Sequence, residues 1–221
     1  MGIVVKTETL QILARKFQRN VEDYGSWVAA KKSLAHLLKL VYYRQNYRIY
    51  RIDLSRAPCE ADLLPGNFSF RMLAPDDRSE IEQIENLAEW LRGSVRERIG
   101  SGDLCLVALH NGTVAGFNLI TFGSAYIPLI NLTRTFRSRQ AWSEHIGVQK
   151  EFRQQGLAST LRYRIFDELR QRGFKRLYGG TLSLNVASLK LSRRVGFQEI
   201  LEVHYTRVLG FQAWRYEKVR K

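Results

Sequence analysis

The chain has 221 residues, 45% of them hydrophobic, which is enough for one well-buried domain with an appendage and too apolar for wholesale disorder. Its net charge of +14 sits at the two ends: residues 1–66 hold 11 basic and 6 acidic side chains, 67–140 hold 8 of each, and 141–221 hold 16 and 7. Such a field attracts polyanions but does not choose among nucleic acid, anionic lipid and a phosphorylated cofactor. No run of about 18 apolar residues exists and the start lacks a secretory pattern, so neither a transmembrane helix nor a signal peptide is expected; two cysteines, Cys59 and Cys105, argue against a disulfide framework or zinc site and for a reducing cytoplasm.

In chain order, residues 5–19 place Leu10, Leu13, Ala14 and Phe17 on one helical face. Ser26 caps a second predicted helix, with Leu34, Leu37, Leu38, Val41 and Tyr42 in helical period and Lys31, Lys32, Lys39 and Arg44 mostly elsewhere. This is either an amphipathic helix packed on the domain or a basic helix lying on an anionic membrane or partner. YRIYRIDL follows as a strand, and SRAPCEADLLPGN, with two prolines and a glycine, reads as a linker. Residues 1–66 therefore form a basic helical extension plus strand and linker, and 67–221 a separate α/β domain.

That domain opens with the strand FSFRML. One helical pattern then runs through RSEIEQIENLAEWLRGSVRERI, with Ile81, Ile84, Ala88 and Leu91 in register. LCLVALH and TVAGFNLI flank Asn111-Gly112, a strong hairpin signal because both residues tolerate positive φ. Cys105 lies inside the first of these runs, as a buried thiol would. AYIPLINLTRTF is a further strand candidate that Pro128 marks as an edge or a bulge. AWSEHIGV is a strand that leads straight into RQQGLAST, and Leu157, Leu161, Ile165 and Leu169 then define a one-sided helix stopped near Gly173. KRLYGGT is a strand, NVASLKLSRRV a helix ended by Gly196-Phe197, and EILEVHYTRVL and FQAWRYEKV are the last strands.

Strand, glycine-containing turn and helix together aim unpartnered backbone N–H groups and the positive end of a helix dipole at an anion. The turn VQKEFRQQGLA and the later NVASLKLSRRVGF together resemble the acyl-CoA acyltransferases of the GNAT superfamily of N-acetyltransferases. Arg153, Gly156 and Ala158 match the family's Q/R-x-x-G-x-G/A. Asn185, Leu191, Gly196 and Phe197 match N-x-x-A-x-x-L-Y-x-x-x-G-F, with Ser188 in place of the alanine. The resemblance covers about 68–218, and residues 1–66 lie outside it.

It implies a mixed, mostly antiparallel central sheet flanked by helices, with an N-terminal helical extension. It also implies acetyl-CoA or another short acyl-coenzyme A as cosubstrate. The strand ending at Val148 would splay from that at 176–181. Backbone groups of Ile146 and Val148 would then pair with pantetheine. Arg153 and the N–H groups of Gln154, Gln155, Gly156, Leu157, Ala158 and Ser159 would hold the pyrophosphate, and Asn185 would hydrogen-bond the pantetheine arm.

An amine acceptor must lose a proton to attack a thioester. Glu144, the only acid on its strand, shares a face with Val148 and is the candidate base, or else a cross-strand partner for an arginine. His145 points the other way in a regular strand, and a bulge would reverse the two. Where the family often has a tyrosine general acid, this chain has Ser192, which leaves the proton donor open. The acceptor is a small molecule or a protein amino group, and a homodimer is compatible. A second reading makes the basic N-terminal helices the functional part, bound to an anionic membrane or, less readily given the lack of a reader motif, to nucleic acid.

Overall fold

The computed structural model describes residues 41–58, 68–91 and 94–219. The two expected N-terminal helices fall outside the described residues up to position 40, as does the linker from Cys59 on. Tyr42 and Arg44, grouped above with the second helix, instead lie in strand β1, Tyr42–Asp53.

Two compact units emerge, one of residues 46–203 with 216–221 and one comprising 1–45 with 204–215. In the smaller, the described residues are 41–45, the end of β9 (Gln198–Val208), the turn after it and the start of β10 (Phe211–Lys218). The Tyr205 ring there packs on Tyr43 and Trp214, at 5.9 and 5.5 Å between centroids.

The larger unit holds a sheet ordered β9-β1-β8-β7-β4-β3-β2. Its remaining strands are β2 (Phe68–Met72), β3 (Leu104–His110), β4 (Thr113–Thr121), β7 (Gln140–Val148) and β8 (Arg176–Leu182). β7 and β8 are parallel, and the pairs β1–β8, β2–β3, β3–β4 and β4–β7 are antiparallel. Residues 47–53 pair with β8 inside this unit. The β3–β4 turn has Asn111 and Gly112 at φ 51° and 78°, the twist that a two-residue hairpin requires.

Alternation along the strands divides the core between the two faces. Cys105 and Val107 join Ile81, Ile84, Leu91, Val95 and Ile99 on one side. Leu106 and Ala108 join Leu157, Leu161, Ile165, Phe166 and Leu169 on the other. The first side is covered by α1 (Arg78–Leu87) and α2 (Val95–Gly100), and the second by α3 (Leu157–Gln171). The single helical pattern expected from 78 to 99 is thus interrupted: a 3-10 turn occupies Glu89–Leu91, and the Ser94 hydroxyl donates to the Leu91 carbonyl at 2.7 Å. The expected strand from 125 to 136 is a hairpin instead. β5 (Ser124–Ile127) pairs with β6 (Leu132–Thr135) across a 3-10 turn begun by Pro128 and closed by Asn131 in the left-handed region.

Candidate active site

β7 and β8 stay together only briefly. Their parallel pairing runs from Gln140↔Arg176 to Ser143↔Gly179 and stops, while the strands continue to Val148 and Leu182. Among the described residues, the edge of β7 that faces β8 therefore has no strand partner beyond Ser143. Tyrosine rings from β1 flank β8 at this fork: a Cβ on Gly179 would lie 2.4 Å from Tyr50, and one on Gly180 2.3 Å from Tyr47. Only glycine admits so close an approach.

On its other edge β7 remains paired with β4, but the register shifts. Leu119 faces His145 and Ile120 faces Ser143, so Glu144 is the extra residue of a β-bulge. The bulge brings both Glu144 and His145 to the wall of one cavity of about 870 Å³, so the alternation expected of a regular strand does not separate them. Tyr47, Trp90, Tyr126 and Arg162 line the same cavity.

Glu144 Oε1 lies 3.7 Å from Arg98 Nη1, and its buried Oε2 has no hydrogen-bond partner among the described residues. Burial raises the carboxyl pKa; Arg98 pulls against that and Asp103 adds to it. Arg98 is itself held by Asp103 at 3.1 Å and Thr121 at 2.5 Å, so the guanidinium is a fixed feature of the wall. Burial, aided by Arg98, lowers the His145 pKa to about 4, and its ring lies 5.7 Å from that of Trp90.

At the far end of β7 the chain turns into α3. Gln154 has φ 64°, and Gly156, at φ 90°, is the residue before the helix. No backbone acceptor among the described residues takes the N–H groups of Gln154, Gln155, Gly156, Leu157 or Ala158, whereas that of Ser159 donates to the Gly156 carbonyl at 2.8 Å. Five consecutive N–H groups at a helix start make an anion cradle, with Ser159 already engaged. The Arg153 side chain reaches back, its Nε donating to the Val148 carbonyl at 3.1 Å. That bond engages one of the backbone groups expected to meet pantetheine. The Gln155 side chain donates to the Glu151 carbonyl at 2.9 Å and braces the turn.

Asn185 lines the cavity and caps α4 (Val186–Arg194), its Oδ1 accepting from the Ser188 N–H at 3.1 Å. Its Nδ2 is left to donate. Ser192 is on the same helix but outside the cavity lining; its buried Oγ has no hydrogen-bond partner among the described residues.

The family model for the acetyltransferase (GNAT) family matches residues 69–197, more than half of the chain. The chain belongs to the GNAT family. Among solved structures, it is similar to a GCN5-related N-acetyltransferase from Sphaerobacter thermophilus: 19% identity, TM-score 0.55, covering 80% of this chain and 56% of that one. It is also similar to the GCN5-related glucosamine N-acetyltransferase region of a fungal multi-domain GH3 beta-N-acetylglucosaminidase: 17% identity, TM-score 0.59, covering 79% and 22%. A tandem GNAT protein from the clavulanic acid biosynthesis pathway matches at 18% identity and TM-score 0.56, covering 82% and 59%. This chain thus spans little more than half the length of the Sphaerobacter protein, and at these identities the likeness is one of fold. No curated protein matches by sequence.

Several residues of this GNAT site carry no motif. Tyr47 and Tyr50 enter from β1, ahead of the family-model match. Trp90 (71% exposed) and Tyr126 (52% exposed) form an aromatic rim. Arg162 is 2% exposed, a charged residue on the buried side of a helix. Gly179-Gly180, adjacent glycines inside a strand pattern, were a legible signal of close backbone approach; the others had none.

Proposed function

We propose that the chain is an acyl-CoA-dependent N-acyltransferase, moving an acetyl or short acyl group to an amine by direct attack in a ternary complex. The observation that carries this reading is the parting of β7 from β8 after Ser143, beside a helix start with five N–H groups that no backbone acceptor among the described residues takes. Those residues fit coenzyme A, which combines an anionic pyrophosphate with an amide-bearing arm. In this reading Gln154 to Ala158 hold the pyrophosphate, the edge at Ile146 and Val148 meets the arm once Arg153 Nε releases the Val148 carbonyl, and Asn185 donates to the arm through Nδ2. When bound, the acyl-coenzyme A supplies the activated thioester carbonyl.

Glu144 is the proposed proton acceptor for the amine. A carboxylate whose pKa is raised by burial is a stronger base than an exposed one, and a base closer to working pH is more effective. His145, lowered to about 4, is too weak a base to be preferred. Ser192 receives no role, because it does not line the cavity. Tyr47 and Tyr50 supply phenol groups there, and burial keeps that of Tyr47 protonated. The acceptor is a small-molecule or protein amine, and a cytoplasmic setting belongs to the same proposal.

The test is thiol release from acetyl-CoA across a panel of amines, amino acids, aminosugars and peptides. Amine-dependent release is expected. Release no faster than the amine-free rate for every acceptor and for both acetyl and short acyl donors overturns the proposal.

A further inference from the structure

The most unusual group in the larger unit is a guanidinium without a carboxylate. Arg162 is 2% exposed and reaches the fork from α3, its Nη1 donating to the Ser143 hydroxyl. Ser143 in turn donates to Asn118 Oδ1 at 3.2 Å, which fixes the sense of the relay. Arg162 Nε and Asn118 Nδ2 are both buried with no hydrogen-bond partner among the described residues, so the donors in this relay outnumber its acceptors. The Arg162 guanidinium carbon lies 5.6 Å from the Phe197 ring centre, and Phe197 packs edge-on against Tyr50 at 4.9 Å. Among the described residues no carboxylate forms an ion pair with Arg162, and the one acid in the cavity wall at hand, Glu144, faces Arg98 instead.

An arginine does not shed its proton in a protein, so burial here leaves a full positive charge to be compensated. A hydroxyl and a ring face do so only in part, and a buried charge left uncompensated is strongly destabilising. Arg162 lines the cavity, at the level where β7 and β8 stop pairing. A guanidinium presents its N–H groups in the fixed fork that suits two carboxylate oxygens.

We propose that Arg162 is a specificity-determining residue that recognises a carboxylate on one of the two substrates. The carboxylate comes either from the far end of a dicarboxylic acyl group on the donor or from the acceptor amine. The inference rests on the acyltransfer reading and narrows its substrate class. It makes this site unlike one that accepts an acetyl group and a simple amine equally well with their carboxylated counterparts.

The experiment uses the full chain and compares wild type with Arg162→Leu and Arg162→Lys. Leucine removes the charge and the fork, and lysine keeps a charge but loses the fork; melting temperatures without ligand establish that the variants are folded. Binding of succinyl-CoA is measured against acetyl-CoA, and kcat/KM for amino acids against the matching decarboxylated amines. If the carboxylate belongs to the donor, wild type prefers succinyl-CoA at least tenfold and Arg162→Leu loses that preference. If it belongs to the acceptor, the donor ratio stays near one while a tenfold preference for amino acids collapses in the variant. Arg162→Lys retains part of either preference. No preference in wild type on either arm, or a preference that Arg162→Leu leaves intact, overturns the proposal. Should neither thioester bind, the acyltransfer reading is what fails. Free succinate and free acetate then test Arg162 alone: stabilisation of wild type but not of Arg162→Leu supports the carboxylate site, and equal response overturns it. If Arg162→Leu does not fold, Arg162→Lys is judged on the same ratios.

Discussion

His145 gives a prediction whose size follows from the site. Its pKa falls from 6.5 to about 4 because burial and nearby Arg98 disfavour the charged ring. The unfolded chain therefore binds a proton that the folded chain refuses throughout the interval from pH 6.5 down to 4. Stability contributed by the neutral ring is complete above pH 6.5 and is lost as pH falls through that interval. At about 1.4 kcal/mol per tenfold change in proton affinity, the full loss is about 3 kcal/mol. Glu144 acts in the opposite direction: its raised pKa makes folding lose stability as pH rises through its folded value. The wild-type slope is thus a composite, and the comparison that isolates the imidazole is wild type against His145→Gln. Urea denaturation at half-unit steps from pH 4 to 7 is the assay. The difference between the two proteins should change by about 3 kcal/mol across the interval, with wild type gaining on the variant as pH rises. Parallel stability curves would refute the account of His145 as a ring buried in the cavity wall.

Glu144→Gln should lower kcat by about 10² to 10⁴ and flatten an acid limb that, in wild type, lies above the ordinary carboxylate range; an unchanged pH–rate profile would remove Glu144 as the base. Gly179→Ala should cost about 1–3 kcal/mol, since the new methyl would meet the Tyr50 ring at 2.4 Å; calorimetry that finds no loss would show that the ring can move. Asn185→Ala should cost about 1 kcal/mol by removing the cap on α4, and Asn185→Ser should recover most of it in the same denaturation assay.

The strands and α3 were legible because their patterns are local. Leu157, Leu161, Ile165 and Leu169 announce a buried stripe, and Asn111-Gly112 announces its turn. Pro128 marked trouble in its strand without saying that the chain folds back there, since that depends on β5 meeting β6. The break between α1 and α2 was hidden by apolar residues that keep helical spacing across it, Ala88 and Leu91 among them. The glycine-led helix start was readable from the glycine and its neighbours, although not that the Ser159 N–H donates to Gly156. The bulge at Glu144 is fixed by which residues of β4 lie opposite, a non-local fact that decides where two candidate bases point. Arg162 was missed for a simpler reason: an arginine between helical leucines defaults to solvent, and only the packing of α3 against Ser143 and Phe197 shows otherwise.

Coenzyme A is proposed to bind at the turn before α3 and the fork beside it. Calorimetric titration of acetyl-CoA into wild type and Ala158→Glu tests it most directly. A carboxylate in the first turn favours the helix dipole and leaves the fold intact, yet it repels a pyrophosphate. Wild type should bind saturably, gaining about 2.7 kcal/mol of stability at a hundredfold excess over Kd, and Ala158→Glu should bind at least tenfold more weakly with its ligand-free melting temperature unchanged. No binding to wild type, or equal binding to both proteins, would contradict the account.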